Sequence, residues 1–288
     1  MAQVPSVYLY VSRNCLPPSE DDQRLAEALR RRGAMVEILL WDDPAAGWGD
    51  LGIICSTWDY TSRFAEFRVW LEVADRHCTL LNPLRVIQRS LDKRYLLDLA
   101  GAGVPTVPTR LTSGDPDDIR AAALEQGWDQ IVLKPLVSAG GRQVRRATPD
   151  TVPAVPPPAD GAPAGWLVQP LLPGIADGEY SCVFVAGELT HTVLKRAADG
   201  EFRVQSHYGG RTTVTTPPHE VGVVATRALH VVGPDHLYAR VDVVVDPTLG
   251  ALIMEVEMVE PDLFLRLSDH ATERLADATL DWVQHHAP

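Results

Sequence analysis

The sequence predicts an α/β protein, and three observations carry that expectation. Apolar strands alternate with amphipathic helices up to about residue 88. Several later segments read as antiparallel hairpins with short turns. A Pro/Ala-rich stretch, "TPDTVPAVPPPADGAPAGW" (148–166), separates two of these blocks. Strand–helix alternation is the pattern of a parallel sheet covered by helices, whereas hairpins build antiparallel sheets.

The elements follow in order. "SVYLYVS" (6–12) is a short strand. "SEDDQRLAEALRRRG" (19–33) is a helix with acids early and arginines late, which suits its dipole, and Gly33 ends it. "MVEILLW" (35–41) and "LGIICS" (51–56) are strands, and "FAEFRVWLEVADRH" (64–77) is a helix with an apolar stripe at Phe64, Phe67, Leu71 and Ala74. "SLDKRYLLDLAGAGVP" (90–105) is expected to form one helix ending in a glycine-rich turn, and "DDIRAAALEQG" (117–127) another. "DQIVLKPLVSAGGRQVRRA" (129–147) is a strand, a glycine turn and a returning strand, after which 148–166 reads as a surface linker. "GEYSCVFVAGELTHTVLKR" turns near Gly187-Glu188, "HEVGVVATRALHVV" (219–232) is a helix, "LYARVDVVVD" and "ALIMEVEMVE" pair across "PTLG", and "ATERLADATLDWVQHH" (271–286) is the last helix. The expected units are 1–88, 89–167 and 168–288.

The net charge of −12 argues against general binding to nucleic acid or to an anionic membrane. No apolar run approaches the roughly 18–20 residues of a membrane span. The N-terminal residues lack the basic and apolar pattern of a signal peptide. Cys15, Cys55, Cys78 and Cys182 are scattered with no C-x-x-C pair, which fits reduced thiols in the cytoplasm. His191, His207, His285 and His286 lack metal-ligand spacing and read as surface or packing residues.

Chemistry concentrates in "IMEVEMVEPD" (253–262). At period two, Met254, Val256 and Met258 share one face, and Glu255 and Glu257 the other. With the turn near Thr248-Leu249, Asp242 falls opposite Glu255 and Arg240 opposite Glu257. Three acids against one arginine repel one another, and a hard divalent cation such as Mg²⁺ or Mn²⁺ would relieve them. The alternative is a solvated antiparallel face. Lys134 ends an apolar strand just before the "SAGG" turn (138–141), a combination that can cover polyphosphate with backbone N–H groups, or can simply be a hairpin. No Walker A pattern occurs.

Taken in order, "SLDKRYLLDLAGAGVPTVPT", "IVLKPLVSAGG", "LVQPLLPGIADGEYS", "YARVDVV" and "IMEVEMVEPDLFL" resemble the ATP-grasp superfamily of carboxylate–amine ligases over about residues 88–268. Residues 1–88 look like the Rossmann-like α/β domain that precedes that fold, and 89–167 like its α+β lid. The resemblance implies ATP and Mg²⁺ as cofactors, with Mn²⁺ also suitable. Lys93 and Lys134 would hold phosphates under a lid turn running from Ser138 to Gly140 and Gly141. The backbone from Gln169 to Leu171 and Leu172 would read adenine, Glu179 would bind ribose, and Lys195 would add a phosphate contact. Arg240 would steady the transferring phosphoryl group beside Asp242, Glu255 and Glu257 as metal ligands. Many members have Asn where Glu257 stands, so Glu257 would add a negative charge to the metal group here. The substrate carboxylate would become an acyl phosphate, then be attacked by an amine. Members are often dimers, so a homodimer is an expectation of the resemblance.

For the substrate, "CSTWDYTSRF" (55–64) follows a strand's carboxyl end, where α/β ligand sites cluster. Trp58, Asp59 and Tyr60 are expected to shape a pocket for a small amino-acid-like molecule, with Asp59 meeting an ammonium, or else to form a capped turn. Arg203, with Gly209 and Gly210 nearby, is expected to take a substrate carboxylate, or to sit in a mobile polar hairpin. "STWDY", "LNPLRVIQRSLDKRYLLDL" and "FRVQSHYGG" look like the actinobacterial branch that includes the D-cycloserine-forming cyclo-ligase acting on O-ureido-D-serine. Intermolecular dipeptide or amide ligation and a non-catalytic nucleotide-binding role are the alternatives.

Overall fold

Leu9, Leu25, Leu29, Ile53 and Leu275 meet in one buried cluster, which ties the first strands and helix of the chain to its last helix. The structure, a computed structural model, describes residues 4–286, apart from the side chains of residues 283–286. The first sheet is parallel, in the order β2-β1-β3-β4, built from β1 (Ser6–Val11), β2 (Met35–Leu40), β3 (Leu51–Ile54) and β4 (Thr79–Leu81). Between these run α1 (Glu20–Arg31) and α2 (Phe64–His77). Ser19 and Asp22 form a reciprocal capping box at the start of α1. Phe64, Phe67, Leu71 and Ala74 are all buried on α2, as their spacing predicts.

The region 90–105 departs from the single helix expected. It holds the end of α3 (Leu84–Ser90) and α4 (Tyr95–Gly101), with Lys93 in the turn between. The Lys93 N–H leaves the helical ladder to bond the Leu136 carbonyl at 2.9 Å. This tertiary contact overrides the helical period. The boundary expected at 88/89 therefore falls inside α3.

A second antiparallel sheet, in the order β5-β8-β6-β7, comprises β5 (Arg110–Thr112), β6 (Ile131–Pro135), β7 (Arg145–Ala147) and β8 (Trp166–Pro170). Here α5 (Pro116–Glu125) covers Ile131, Leu133, Trp166 and Val168. β8 pairs with β6 as far as Pro170, so the boundary expected at 167/168 falls within a strand. The Pro/Ala-rich segment is not a free linker. The Ala65 N–H at the start of α2 donates to the Asp160 carbonyl at 3.1 Å, and Ala159 and Ala162 pack on the aromatic cluster beneath α2.

The third sheet is antiparallel, in the order β11-β10-β9-β12-β13. It contains β9 (Glu179–Val185), β10 (Glu188–Arg196), β11 (Arg211–Thr215), β12 (Tyr238–Asp246) and β13 (Gly250–Glu257). α6 (His219–Val232) packs on one face through Val221, Val224 and Ala225, while α7 (Asp269–His286) closes against α1. Asn82 joins this sheet to the first. Its carboxamide donates to the Tyr238 and Met258 carbonyls, both at 2.9 Å, and accepts from the N–H groups of Leu237 and Tyr238.

Candidate active site

Period-two alternation decides which side chains meet between the second and third sheets. On β6, Ile131 and Leu133 enter the core, while Val132 and Lys134 face a cavity of about 400 Å³. On β12, Val241 and Val243 enter the core, and Arg240 and Asp242 take the opposite face. The β12–β13 register pairs Arg240 with Glu257 and Asp242 with Glu255, as the turn predicts. It then shifts between Asp242 and Val243. That bulge corrects the expected alternation. Val256 and Met258 stay in the core, but Met254 turns to line the cavity beside Glu255 and Glu257.

The charged groups form a network. Arg240 grips Asp242 with Nε and Nη2, each at 3.0 Å, and reaches Glu257 at 2.6 Å. Lys195 bridges Glu179 at 2.5 Å and Asp242 at 3.1 Å. The Ser181 hydroxyl also donates to Asp242. Burial opposes ionisation of Asp242, yet Arg240, Lys195 and Ser181 outweigh it and hold its carboxyl well below the usual range. Glu257 differs: burial wins over Arg240, with Glu255 and Asp242 adding repulsion, and pushes it up to about 7.

At the phosphate end, the Lys93 ammonium bonds Glu255 and the Ser138 carbonyl. Lys93 is buried. Lys134 is also buried, and its ammonium has no hydrogen-bond or ion-pair partner among the described residues. Burial holds its pKa below the ordinary lysine value despite Glu255 and Glu179 nearby. Gly140 and Gly141 line the same end with φ of 60° and 69°, a backbone region that favours glycine. A Cβ on Gly141 would stand 2.8 Å from Gln205 Oε1, so this turn and the 202–208 loop close on one another.

The other end is apolar, lined by Val107, Val132, Leu171, Leu172 and Ile175. Gln169 is buried there and donates to the Thr109 hydroxyl at 2.9 Å. The Leu171 N–H is committed to the Gln130 carbonyl, whereas the Leu172 N–H has no partner among the described residues.

Several substrate expectations need correction. Trp58 lines the cavity, but Asp59 does not. Its carboxylate accepts from Trp41 Nε1 at 2.9 Å and lies 3.5 Å from Arg63, which leaves it a packing role. Tyr60 stacks on Phe67 with its hydroxyl near the Glu260 carboxyl, and it does not itself line the cavity. Arg203 lines the cavity, but its guanidinium is held by Glu201 at 2.7 and 3.1 Å and lies 3.6 Å from the Tyr208 ring centre. A neighbour two residues away has taken the fork that a substrate carboxylate was expected to fill. Gly209 and Gly210 shape the loop without lining the cavity. A Cβ at Gly210 would meet the Val204 carbonyl at 2.0 Å. His207 lines the cavity and packs on Tyr208, while the side chains of His285 and His286 lie outside the described residues. Gln205, Arg266 and Val107 also line it, and nothing local in the sequence marks them.

Residues 99–269 match the family described as prokaryotic glutathione synthetase, ATP-grasp domain. The chain belongs to the ATP-grasp family. ATP-grasp enzymes use ATP and, in general, Mg²⁺, and this one is by family an ATP-dependent carbon–nitrogen ligase. Residues 7–82 match the family of the N-terminal domain of D-cycloserine synthetase DcsG. The chain is 28% identical to the cycloserine biosynthesis protein DcsG of Streptomyces lavendulae, over 91% of this chain and 94% of that protein. It is 30% identical to a probable alpha-L-glutamate ligase of Xylella fastidiosa, over 61% of this chain and 58% of that one. The crystal structure of D-cycloserine synthetase DcsG superposes with a TM-score of 0.85 at 24% identity, covering 96% of this chain and 99% of that one. That likeness shows the ATP-grasp fold.

The residues present fit the two groups the family uses. Asp242, Glu255 and Glu257 each offer an oxygen, all within 4.8 Å of one another, and a cluster of carboxylate oxygens suits a hard divalent cation. Lys134, buried with free donors, fits a polyphosphate. Among the described residues no helix is long and apolar enough to cross a membrane.

Proposed function

We propose that the cavity activates the carboxylate of a small amino-acid-like substrate as an acyl phosphate, which a nitrogen of the same molecule then attacks. The favoured substrate is O-ureido-D-serine: ring closure expels phosphate, and water removes the carbamoyl group as carbon dioxide and ammonia, giving D-cycloserine with ADP and phosphate. The observation that carries the ligase reading is Lys134, a buried ammonium with no partner among the described residues, set beside three clustered carboxylates. The near full-length likeness to the Streptomyces lavendulae protein supports the choice of substrate.

In this reading ATP supplies the phosphoryl group, and Mg²⁺, for which Mn²⁺ could substitute, spreads its charge. Asp242, Glu255 and Glu257 hold the metal. Lys93 and Lys134 hold phosphate oxygens under the turn from Ser138 to Gly141. Arg240, pinned by Asp242 and Glu257, presents a fixed positive charge to the transferring group, and such preorganised charge is the main source of catalysis in phosphoryl transfer. Val107, Leu171, Leu172 and Ile175 exclude water around the base, with the Leu172 N–H, unpartnered among the described residues, as a donor to it. Glu179 takes ribose hydroxyls and Lys195 adds a phosphate contact. The units 1–88, 89–167 and 168–288 then act as substrate-binding, lid and nucleotide-binding parts, with the lid sheet carried on to Pro170. The four free cysteines fit a cytoplasmic setting.

An intermolecular amide ligase is the second reading, supported by the likeness to probable alpha-L-glutamate ligases. Both are tested by ADP release with O-ureido-D-serine, D-serine, D-alanine and glutamate, alone and in pairs, with products read by mass spectrometry. O-Ureido-D-serine alone should drive ADP release and yield D-cycloserine. A requirement for a second amine favours the intermolecular reading. ATP binding without ADP release for any substrate overturns both.

A further inference from the structure

Five carboxylates line the cavity, and four have a fixed cation. Glu179 has Lys195, Glu255 has Lys93, Glu257 has Arg240, and Asp262 has Arg266. Glu260 has none among the described residues, although it is only 7% exposed. Its place is fixed on both sides. Its carbonyl accepts from Trp58 Nε1 at 3.1 Å, and its carboxyl lies within electrostatic reach of the Tyr60 hydroxyl. Tyr60 is in turn stacked on Phe67, with ring centres 4.9 Å apart. Lys93, the nearby ammonium, is already bonded to Glu255 and the Ser138 carbonyl. Glu260 also lies outside the trio of acids close enough to share an ion.

An acid buried without a cation is costly, and burial together with Glu257 pushes this one up to about 8. A cation brought by the substrate removes that cost. The wall at this point is Trp58, whose flat face suits the carbon skeleton of a small molecule.

We propose that Glu260 binds the ammonium group of an amino-acid-like substrate, with Tyr60 as its positioning residue. This rests on the cavity being the ligase site proposed above, and it adds which polar group the substrate must carry. An ammonium bound to a carboxylate has no lone pair, so it is not the attacking nitrogen. The nucleophile is a second nitrogen, in the same molecule or in another, and the α-amino group leaves with the product unchanged.

The test compares D-serine with 3-hydroxypropionate, which lacks only the amino group, by calorimetric titration into protein saturated with Mg²⁺ and a non-hydrolysable ATP analogue. D-Serine should bind about tenfold or more tightly, the usual worth of a charge-assisted contact. Glu260→Gln should abolish that preference while keeping the affinity for the ATP analogue within about twofold. Tyr60→Phe should weaken the preference. Equal binding of the two probes, no binding of D-serine, or a preference retained in Glu260→Gln overturns the inference. Turnover separates it from the ligase reading. In Glu260→Gln the KM for O-ureido-D-serine should rise about tenfold with the KM for ATP unchanged. A wild-type protein that prefers D-serine through Glu260 but never releases ADP overturns the ligase reading alone.

Discussion

Replacing Lys134 with Met should make the ligand-free protein more stable and the enzyme far slower. The two effects have one cause. Burial disfavours the Lys134 ammonium more than Glu255 and Glu179 favour it, so the charge is less comfortable in the folded chain than in water. A pKa depressed in the folded state means that the protonated form costs stability at neutral pH. Methionine keeps the unbranched stem and removes the charge. Exchanging a buried charge for a well-packed apolar group stabilises by about 1 kcal/mol or more, which is roughly 2–4 °C in melting temperature for a chain of this size. With nucleotide bound the balance reverses. Loss of a preorganised donor to a phosphoryl group costs about 100- to 1,000-fold in turnover. Differential scanning fluorimetry with and without Mg-ADP reads the first effect, and coupled ADP release the second. The wild type should gain stability from Mg-ADP, and Lys134→Met should gain far less. A melting temperature several degrees below wild type, with turnover intact, refutes the reasoning and makes Lys134 a structural partner of Glu255 and Glu179.

Four further outcomes follow from the geometry. Glu255→Gln should leave a folded protein and lower ADP release by about 100-fold or more, and an unchanged rate in that coupled assay removes Glu255 from the metal group. Gly210→Ala places a Cβ 2.0 Å from the Val204 carbonyl, so the 202–208 loop must move and kcat/KM for ATP should fall about 10- to 100-fold with an unaltered far-ultraviolet circular dichroism spectrum. Asn82→Ala leaves up to four backbone groups between the first and third sheets without partners, and urea titration should show a loss of about 3 kcal/mol or more. Glu260→Gln should gain stability relative to ligand-free wild type as pH rises from the ordinary carboxylate range to about 8, because the folded wild type must release a proton it holds more tightly than the unfolded chain does. At about 1.4 kcal/mol per pH unit, that difference reaches a few kcal/mol, and melting curves that stay parallel across this range show that Glu260 ionises as an ordinary acid.

Local signals were legible where the residues that decide a structure are near one another in sequence. The helix from Phe64 to His77 runs over the residues its stripe predicts, because four buried positions on one face fix it. The pairing of Arg240 with Glu257 and Asp242 with Glu255 follows from the "PTLG" turn and the period of two. The failures share a different cause. Lys93 breaks the expected helix because its partners, Leu136, Ser138 and Glu255, lie 43, 45 and 162 positions away. Asp59 looked like an ammonium ligand until Trp41 and Arg63 claimed it. The Pro/Ala-rich segment looked like a linker because its composition has no helical or strand period, yet its contact with Ala65 depends on the placement of α2.

Counting acids in the hairpin correctly found an imbalance, but treated Asp242, Glu255 and Glu257 as equivalent. The structure separates them by what other elements bring. Arg240, on the same strand, and Lys195 from β10 stabilise the charge on Asp242, and Lys93 and Lys134 do so for Glu255. Among the described residues the one cation in contact with Glu257 is Arg240, which must also serve Asp242, and its carboxyl rises to about 7. The demand for added positive charge is therefore concentrated at Glu257. A bulge lies one residue before Glu255. It turns Met254 into the cavity, where it packs with the apolar group of Val107 and Leu172 and leaves Glu255 and Glu257 on the same wall. The hairpin thus holds its acids in a state that bound cations complete.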